Sequence, residues 1–260
     1  MIPSLKEFYS TVPQKGEISL LWMGQAGFLI RNSQGKVLGT DLYLSNLSEI
    51  QDGNKRLMMP VAQPEELALD LLCVSHHHTD HLDVLSIPVW LKEGTHIVCD
   101  RESCRIAGEK DWDTGLFTGM APGDVFEADG YRVEAVEAYH GDAAKQAVGY
   151  LIQTDGILVY FTGDTSWQKD LLSYAVQKDI DILLPPINGE YGNMGERDAA
   201  EMAGAARPKL TIPCHFWTFA RHYGSPYDFI QEMKVNYPDC PFYMMCQGEM
   251  IRYSKEKGLL

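Results

Sequence analysis

The chain has 260 residues, of which 45% are hydrophobic, and its formal net charge is −14. Such an acidic surface repels phosphate backbones, so the charge argues against nucleic acid as a partner, although a bound metal could still attract an anionic small molecule. No apolar run reaches the length needed to cross a bilayer, and no linker or repeat divides the sequence, so we predict no membrane partner and a single domain over residues 1–260.

The six cysteines contain no Cys-x-x-Cys pair, and in a chain of this length they indicate reduced core thiols rather than a disulfide framework. The first residues show no basic leader followed by an apolar block. We therefore expect a cytoplasmic protein, and we leave a homo-oligomer open.

The first half of the sequence predicts mostly β-strands, because short apolar runs alternate with Gly and Asn. These runs are EISLLWMG, AGFLIRN, GKVLGTDLYL, LALDLLCVS and GTHIVCD, with a helix predicted near IPVWLKE before the last of them. Further along, Asp129-Gly130 and Asp155-Gly156 each separate two apolar runs, which is typical of tight β-hairpins.

The second half alternates predicted helices with strands. One helix is expected over SWQKDLLSYAVQK, with one face formed by Trp167, Leu171, Tyr174 and Ala175. The other helices are expected over ERDAAEMAGAARP and SPYDFIQEMKVNYP. Strands are expected at IDILLPPI, at KLTIPCH and, as a closing pair, within FYMMCQGEMIRY.

The start of the last helix is marked by Ser225 as N-cap, Pro226 at the first helical position and Asp228 at the third. Strands followed by alternating helices and strands fit two sheets that are covered by helices. We therefore predict an α/β fold of the αββα type, a four-layer sandwich with two mixed β-sheets flanked by helices.

Half of the eight histidines lie in the stretch LLCVSHHHTDHLD, directly behind a predicted strand. His76 and His78, two residues apart, can face the same side of an extended chain, whereas Asp80 and His81 can turn towards a second point. Imidazole suits zinc, iron or manganese, and a carboxylate adds a hard oxygen ligand. One loop could therefore supply ligands to two metal ions.

Three further candidate ligands follow other predicted strands: His140, Asp164 and His215. Sites in α/β proteins collect at the carboxyl ends of strands, so four such ends can converge on one cleft. Taken singly, each residue also has a structural interpretation, and Asp164 could cap a helix.

Three neighbouring positions have no predicted role as ligands. His77 lies between two candidate ligands and is expected to point away from them. His96 lies in an apolar strand and is expected to be structural, and Asp83 is expected to begin the next helix.

The ordered motifs SHHHTDHLD, YHG, FTGDT and IPCHFW resemble those of metallo-β-lactamase-fold hydrolases. The resemblance runs from LLWMGQAGFLI to CQGEMIRY and implies two metal sites. It assigns His76, His78 and His140 to the first site, Asp80, His81 and His215 to the second, and Asp164 to a bridging position. It implies one or two divalent ions as cofactors, namely manganese or zinc, with iron as a further option.

A narrower resemblance, to the L-ascorbate-6-phosphate lactonase branch, rests on AVGYLIQTDGILVYFTGDTSW and on IDILLPPINGEYGNMGERDAAEMAGAARPKLTIPCHFW. It implies a cytoplasmic lactone hydrolase that uses manganese. Since a divalent ion lowers the pKa of its bound water to about 7, we expect a metal-bound hydroxide to attack the lactone carbonyl of a small substrate. Asp80 is expected to be catalytic, by orienting the hydroxide and carrying its proton.

A phosphate on the substrate would need cationic help away from the metals, and Arg221 and His222 are the candidates. Trp217 is a candidate wall of the substrate pocket. A solvated loop and core packing are the competing interpretations of these three residues.

Three other functions stay open from the sequence. The first is a small-molecule phosphodiesterase of the same fold. The second is a di-iron redox protein, which is disfavoured because that branch has Glu at the position of His78 and carries a flavin domain. The third is a non-catalytic metal-binding module, which is disfavoured because the ligand set is complete.

Overall fold

The computed structural model describes residues 1–260 and contains fourteen strands and seven α-helices. The strands are β1 (Glu17–Gly24), β2 (Gly27–Arg31), β3 (Val37–Thr40), β4 (Leu71–Val74), β5 (His96–Asp100), β6 (Phe117–Met120), β7 (Val125–Ala128), β8 (Tyr131–Glu137), β9 (Val148–Thr154), β10 (Ile157–Phe161), β11 (Ile182–Leu184), β12 (Leu210–Thr211), β13 (Met250–Ser254) and β14 (Gly258–Leu259). The helices are α1 (Pro3–Ser10), α2 (Leu47–Asp52), α3 (Ile87–Lys92), α4 (Arg101–Glu109), α5 (Ser173–Val176), α6 (Glu196–Ala206) and α7 (Pro226–Asn236).

The strands form two mixed sheets. The first sheet has the order β14-β13-β1-β2-β3-β4-β5-β6, and the second has the order β12-β11-β10-β9-β8-β7. In the first sheet, β3 to β6 run parallel and the other pairs are antiparallel. In the second sheet, β10 to β12 run parallel and the rest are antiparallel.

Strand β4 shows why the molecule has four layers. All four of its residues are buried, and successive side chains point to opposite faces of the sheet. Leu71 and Cys73 belong to the core that lies between the sheets and extends to α6 and α7, whereas Leu72 and Val74 belong to a second core with α1, α3 and α4. Helices therefore cover the outer face of each sheet, which confirms the predicted αββα sandwich.

Both predicted hairpins are present. Asp129 and Gly130 connect β7 to β8 with φ values of 51° and 78°, and Asp155 and Gly156 connect β9 to β10 with φ values of 50° and 78°. Two consecutive residues with positive φ define the turn whose twist matches that of the flanking strands, and Asp-Gly tolerates it well.

The predicted start of the last helix is also confirmed. Ser225 precedes α7, and its side-chain oxygen accepts a hydrogen bond from the backbone N–H of Asp228 at 3.2 Å. This bond satisfies one of the backbone donors that a helix leaves free at its first turn.

The helix predicted over SWQKDLLSYAVQK is wrong for most of its length, because only Ser173–Val176 is helical. The backbone N–H of Ser166 donates to Tyr139, and the Thr165 hydroxyl accepts from the backbone N–H of Tyr139, both at 2.9 Å. These bonds keep the start of the segment out of a helix. As a result Leu171 and Tyr174 are 38% and 52% exposed and form no buried helical face.

The closing pair of strands is shifted along the chain. The pair consists of β13 and β14, and residues 242–249 form no strand beyond a single bridge of Phe242 to Thr211. The Glu249 carboxylate accepts from the backbone N–H of Cys246 and from the Tyr243 hydroxyl, so this segment folds back on itself. No helix combines the length and the apolar character that crossing a membrane requires.

Candidate metal centre

Four loops at the carboxyl ends of strands bring the seven predicted ligands together. The loop after β4 carries four of them, and the loops after β8, β10 and β12 carry one each. Most of the seven are buried, and His78 and Asp80 are partly exposed at the face of a cleft. The set is His76, His78, Asp80, His81, His140, Asp164 and His215.

The first group is formed by three histidines. His76 Nε2 and His78 Nδ1 are 2.8 Å apart, and His140 Nε2 lies 3.2 Å from the same His78 nitrogen. The Asp164 Oδ2 atom is 3.7 Å from His140 Nε2. One side of the Asp164 carboxylate therefore borders this group.

The second group contains the remaining ligands. His81 Nε2 and His215 Nε2 are 3.1 Å apart, and Asp80 Oδ2 lies 3.6 Å from the first and 3.5 Å from the second. Asp164 Oδ1 is 3.1 Å from His215 Nε2, and its Oδ2 is 3.5 Å from His81 Nε2. Asp164 consequently contacts both groups, as a bridging ligand must.

The donor set fits divalent ions. Nitrogen and oxygen ligands at about 2.0–2.2 Å from a tetrahedral ion lie roughly 3.3–3.6 Å from one another, close to the separations in both groups. Asp164 Oδ1 is buried and has no hydrogen-bond donor, an arrangement that is costly unless a cation offsets it. The mixture of imidazoles and carboxylates suits zinc, manganese and iron alike.

The electrostatics of the cluster favour the deprotonated forms of most of these side chains, which are the forms that bind metal. Burial lowers the pKa of His78 to about 4 and the pKa of His76 well below its usual value, so both rings are neutral at pH 7. Burial alone would raise the pKa of Asp164, but His215 and His81 outweigh it and hold that pKa well below its usual value.

His81 behaves differently. Burial opposes its protonation, but Asp164, Asp80 and Asp41 outweigh burial and raise its pKa well above the usual value. An ion that binds His81 Nε2 therefore has to displace a proton.

Asp41, at the end of β3, orients two of the histidines. Its Oδ2 atom lies 2.6 Å from His81 Nδ1 and accepts a hydrogen bond from the Ser75 hydroxyl at 2.5 Å. The Ser75 oxygen is in turn 3.0 Å from His76 Nδ1. Such partners fix the ring orientation of ligating histidines. Asp41 was not among the predicted site residues, although it directly follows strand β3 much as Asp164 follows β10.

Two amide side chains also contact the carboxylates, and no motif in the sequence pointed to either of them. Asn193 donates to Asp164 Oδ2 at 2.7 Å. Gln25, in the turn between β1 and β2, donates to Asp80 Oδ2 at 2.5 Å. Its backbone has a φ of 52°, in the left-handed region, so this turn aims the side chain into the cluster.

The cluster forms the floor of a cleft of about 540 Å³, within the usual size range of small-molecule sites. No Lys or Arg side chain lines it. The other lining residues are Gln51, Asp52, Asn54, His77, Thr79, Ile106, Ala143, Tyr191, Phe219 and His222.

The three predicted substrate-binding residues differ in position. His222 lines the cleft and is 6% exposed. Trp217 is 52% exposed and does not line the cleft. Arg221 is exposed, with its guanidinium 5.4 Å from the ring centre of Tyr191, which does line the cleft.

The residues without a predicted metal role are placed as follows. His77 lies on the cleft wall and belongs to no potential ligand group, and His96 lies 2.9 Å from the Thr118 hydroxyl on β6. Asp83 lies before α3, which begins at Ile87, and opens the turn that leads into this helix. Its carbonyl accepts a hydrogen bond from the backbone N–H of Ile87 at 3.0 Å, and its carboxylate accepts one from the Ser86 hydroxyl at 2.6 Å. The same carboxylate also accepts hydrogen bonds from Ser45, including one from the backbone N–H at 2.9 Å, and so fixes the loop after β3.

Comparison with known proteins agrees with this geometry. Residues 19–215 match the family model described as a beta-lactamase superfamily domain. The chain belongs to the metallo-β-lactamase superfamily. Within this superfamily, a UPF0173 metal-dependent hydrolase of Archaeoglobus fulgidus is 30% identical over 248 residues, which covers 92% of this chain and all of the relative. The chain is accordingly a metal-dependent hydrolase of this superfamily.

Solved structures share the architecture. Igni18, described as a metallo hydrolase of Ignicoccus hospitalis, superposes with a TM-score of 0.73 at 22% identity, covering 92% of this chain and 99% of that one. YhfI of Bacillus subtilis superposes with a TM-score of 0.68 at 17% identity, covering 92% of this chain and 100% of that one. At these identities the likeness concerns the fold alone.

Proposed function

We propose that this metal-dependent hydrolase opens the ester bond of a small lactone. The observation that carries the proposal is the pair of ligand groups that share Asp164 at the floor of a cleft sized for a small molecule. When bound, divalent ions supply an acidified water and a positive charge beside the carbonyl oxygen of an ester. Manganese or zinc is the proposed cofactor, and the free state of all six cysteines is consistent with a cytoplasmic location.

The side chains of the cleft have separate roles in this proposal. Asp80 borders both the second ligand group and the cleft, so its carboxylate is positioned to hold the attacking water and to take its proton. Phe219 and Tyr191 add aromatic surface to the wall and limit the access of bulk water.

The choice of substrate follows from charge. L-ascorbate 6-phosphate is the substrate suggested by the resemblance to the lactonase branch. However, the cleft offers no Lys or Arg to its phosphate, and Arg221 lies beyond Tyr191 at the rim. We therefore propose that the lactone ring is the recognised group, and that a phosphate contributes only if Arg221 reaches it.

A small-molecule phosphodiesterase is the second candidate. It is favoured by the bridging position of Asp164, because paired ions a few ångströms apart stabilise both the attacking and the leaving oxygen of a phosphodiester.

A side-by-side assay distinguishes the two candidates. Protein reconstituted with manganese or zinc is tested on L-ascorbate 6-phosphate, simple uncharged lactones and bis-aryl phosphodiesters. Turnover of lactones well above phosphodiesters supports the lactonase proposal, and the reverse order supports the second candidate.

Variants link the activity to the cluster. His78→Ala and Asp164→Ala should abolish hydrolysis, whereas His96→Gln, which changes a histidine outside the cleft and the ligand groups, should retain it. Full activity in either of the first two variants contradicts the ligand assignment.

A further inference from the structure

Beside the second ligand group, one histidine converges on the same atoms without having a place in the seven-ligand set. Asp80, His215 and His222 each present a ligand atom, and these three atoms lie within 4.8 Å of one another. The His222 ring stacks on the His215 ring at a centroid distance of 4.8 Å and an angle of 27°. The two rings therefore present their edges to the same region.

The ligand atoms of Asp80, His215 and His222 surround one atom of Gln25. Its Nε2 atom is 2.5 Å from Asp80 Oδ2, 3.0 Å from His215 Nε2 and 3.2 Å from His222 Nδ1. An amide nitrogen carries two hydrogens, so it cannot satisfy three acceptors at once. The Oε1 atom of the same amide is buried without a hydrogen-bond donor. Three acceptors around one crowded donor form a better site for a cation than for an amide.

We propose that His222 is an additional ligand of the second ion, binding through Nδ1 together with Asp80 and His215. The second ion would then have five protein side chains as ligands, namely Asp80, His81, Asp164, His215 and His222. The first would have four, namely His76, His78, His140 and Asp164. His222 is thereby reassigned from phosphate recognition to metal binding. The inference rests on the proposed function only in requiring that two ions bind.

Hydrogen bonds and close packing hold the turn that carries His222. The backbone N–H of His222 donates to Phe219 at 3.0 Å, and its carbonyl accepts from Trp217 at 3.2 Å. Gly224 follows with a φ of 69°, and a Cβ there would lie 2.5 Å from the Phe216 Cβ. Only glycine fits this position, so the direction of the turn is fixed by packing.

Gln25 has a defined part in this arrangement. Its amide contacts the same three atoms that the ion requires, so the side chain has to rotate for all three lone pairs to face a cation. Torsions of a single long side chain are enough for this, because His222 and His215 are already stacked in place.

Cobalt titration tests the proposal without any substrate. Protein stripped by a chelator is titrated with Co²⁺ while the visible absorption, which responds to ligand number and geometry, is recorded. Wild type should bind two ions. His222→Ala should bind the first normally and the second at least about tenfold more weakly, with a changed spectrum for that second ion. His77→Ala should match the wild type in both respects.

His78→Ala provides the reciprocal comparison, because it removes a ligand of the first group alone. His78→Ala should weaken binding of the first ion and leave the affinity and the absorption spectrum of the second ion unchanged. Circular dichroism of the stripped variants verifies that each remains folded.

Unchanged affinity and spectrum in His222→Ala overturn the proposal, and so does binding of only one ion by the wild type. If His222→Ala keeps both ions but raises the KM for a phosphorylated lactone, His222 contacts substrate and the proposal is also overturned. If His222→Ala loses the second ion but the wild type cleaves no lactone, the ligand assignment of His222 is supported and only the proposed function is contradicted.

Discussion

At the scale of single residues, the side chains behind the ligands control the cluster as much as the ligands do. Asp41 alone lies 2.6 Å from His81 Nδ1 and accepts from Ser75, which contacts His76, so one carboxylate orients a histidine of each group. Its charge also helps to raise the pKa of His81. A neutral side chain of equal size should therefore disturb both ions.

We predict that Asp41→Asn weakens metal affinity by about 10- to 100-fold, the range for partners of ligating histidines. Competition with a chromogenic chelator measures the change. Asp239→Asn, an exposed carboxylate near the end of α7, is the matched control and should leave affinity unchanged. Wild-type affinity in Asp41→Asn would show that its contacts do not tune the metal.

His96 provides a pH-dependent prediction away from the site. Burial lowers its pKa in the folded protein. The unfolded chain, with a His pKa of about 6.5, then takes up the proton first, so stability is lost as the pH falls through that value towards the folded pKa. His96→Gln should therefore lose less stability between pH 7.5 and pH 5.5 than the wild type. Denaturant unfolding of chelator-stripped protein measures this, and equal losses in both proteins would contradict it.

At the scale of elements, the strand ends could be predicted and the long-range contacts could not. Three of the ligands each follow an apolar run, namely His140, Asp164 and His215. The end of a strand can be predicted from the local apolar pattern alone. The segment after Asp164 forms no helix at its start because it is bonded to Tyr139, which lies on another loop. Gln25 and Asn193 likewise acquire their roles only through partners distant in sequence.

The cap of α7 gives a prediction at this scale. Ser225→Ala removes the acceptor for the backbone N–H of Asp228 and should lower the free energy of unfolding by about 1 kcal/mol. Ser225→Asp keeps an acceptor and should remain close to the wild type. Chemical denaturation measures both, and an equal loss in the two variants would indicate that the side chain acts through packing rather than capping.

For the whole molecule, metal binding and folding stability should be linked, because the buried ligands form their groups only in the folded chain. We predict that removal of ions with a chelator lowers the thermal midpoint. At an ion concentration of 100 times the dissociation constant, a single bound ion stabilises the fold by about 2.7 kcal/mol.

Asp164→Ala, which lacks the bridging carboxylate, is the control for this measurement. Its midpoint should respond far less to added ions than that of the wild type, since both groups contact Asp164. An equal response in the two proteins would show that the stabilising ions bind elsewhere.

The division of the ligands between the sheets has a consequence for assembly. The loop after β4, in the first sheet, supplies His76, His78, Asp80 and His81, and the second sheet supplies the other three ligands. Each group draws on both sheets, so neither sheet holds a complete site before the two have docked. During refolding, uptake of an ion should therefore follow the formation of strands and coincide with closure of the interface between the sheets. The visible absorption of bound cobalt would then report the rate at which the two sheets dock.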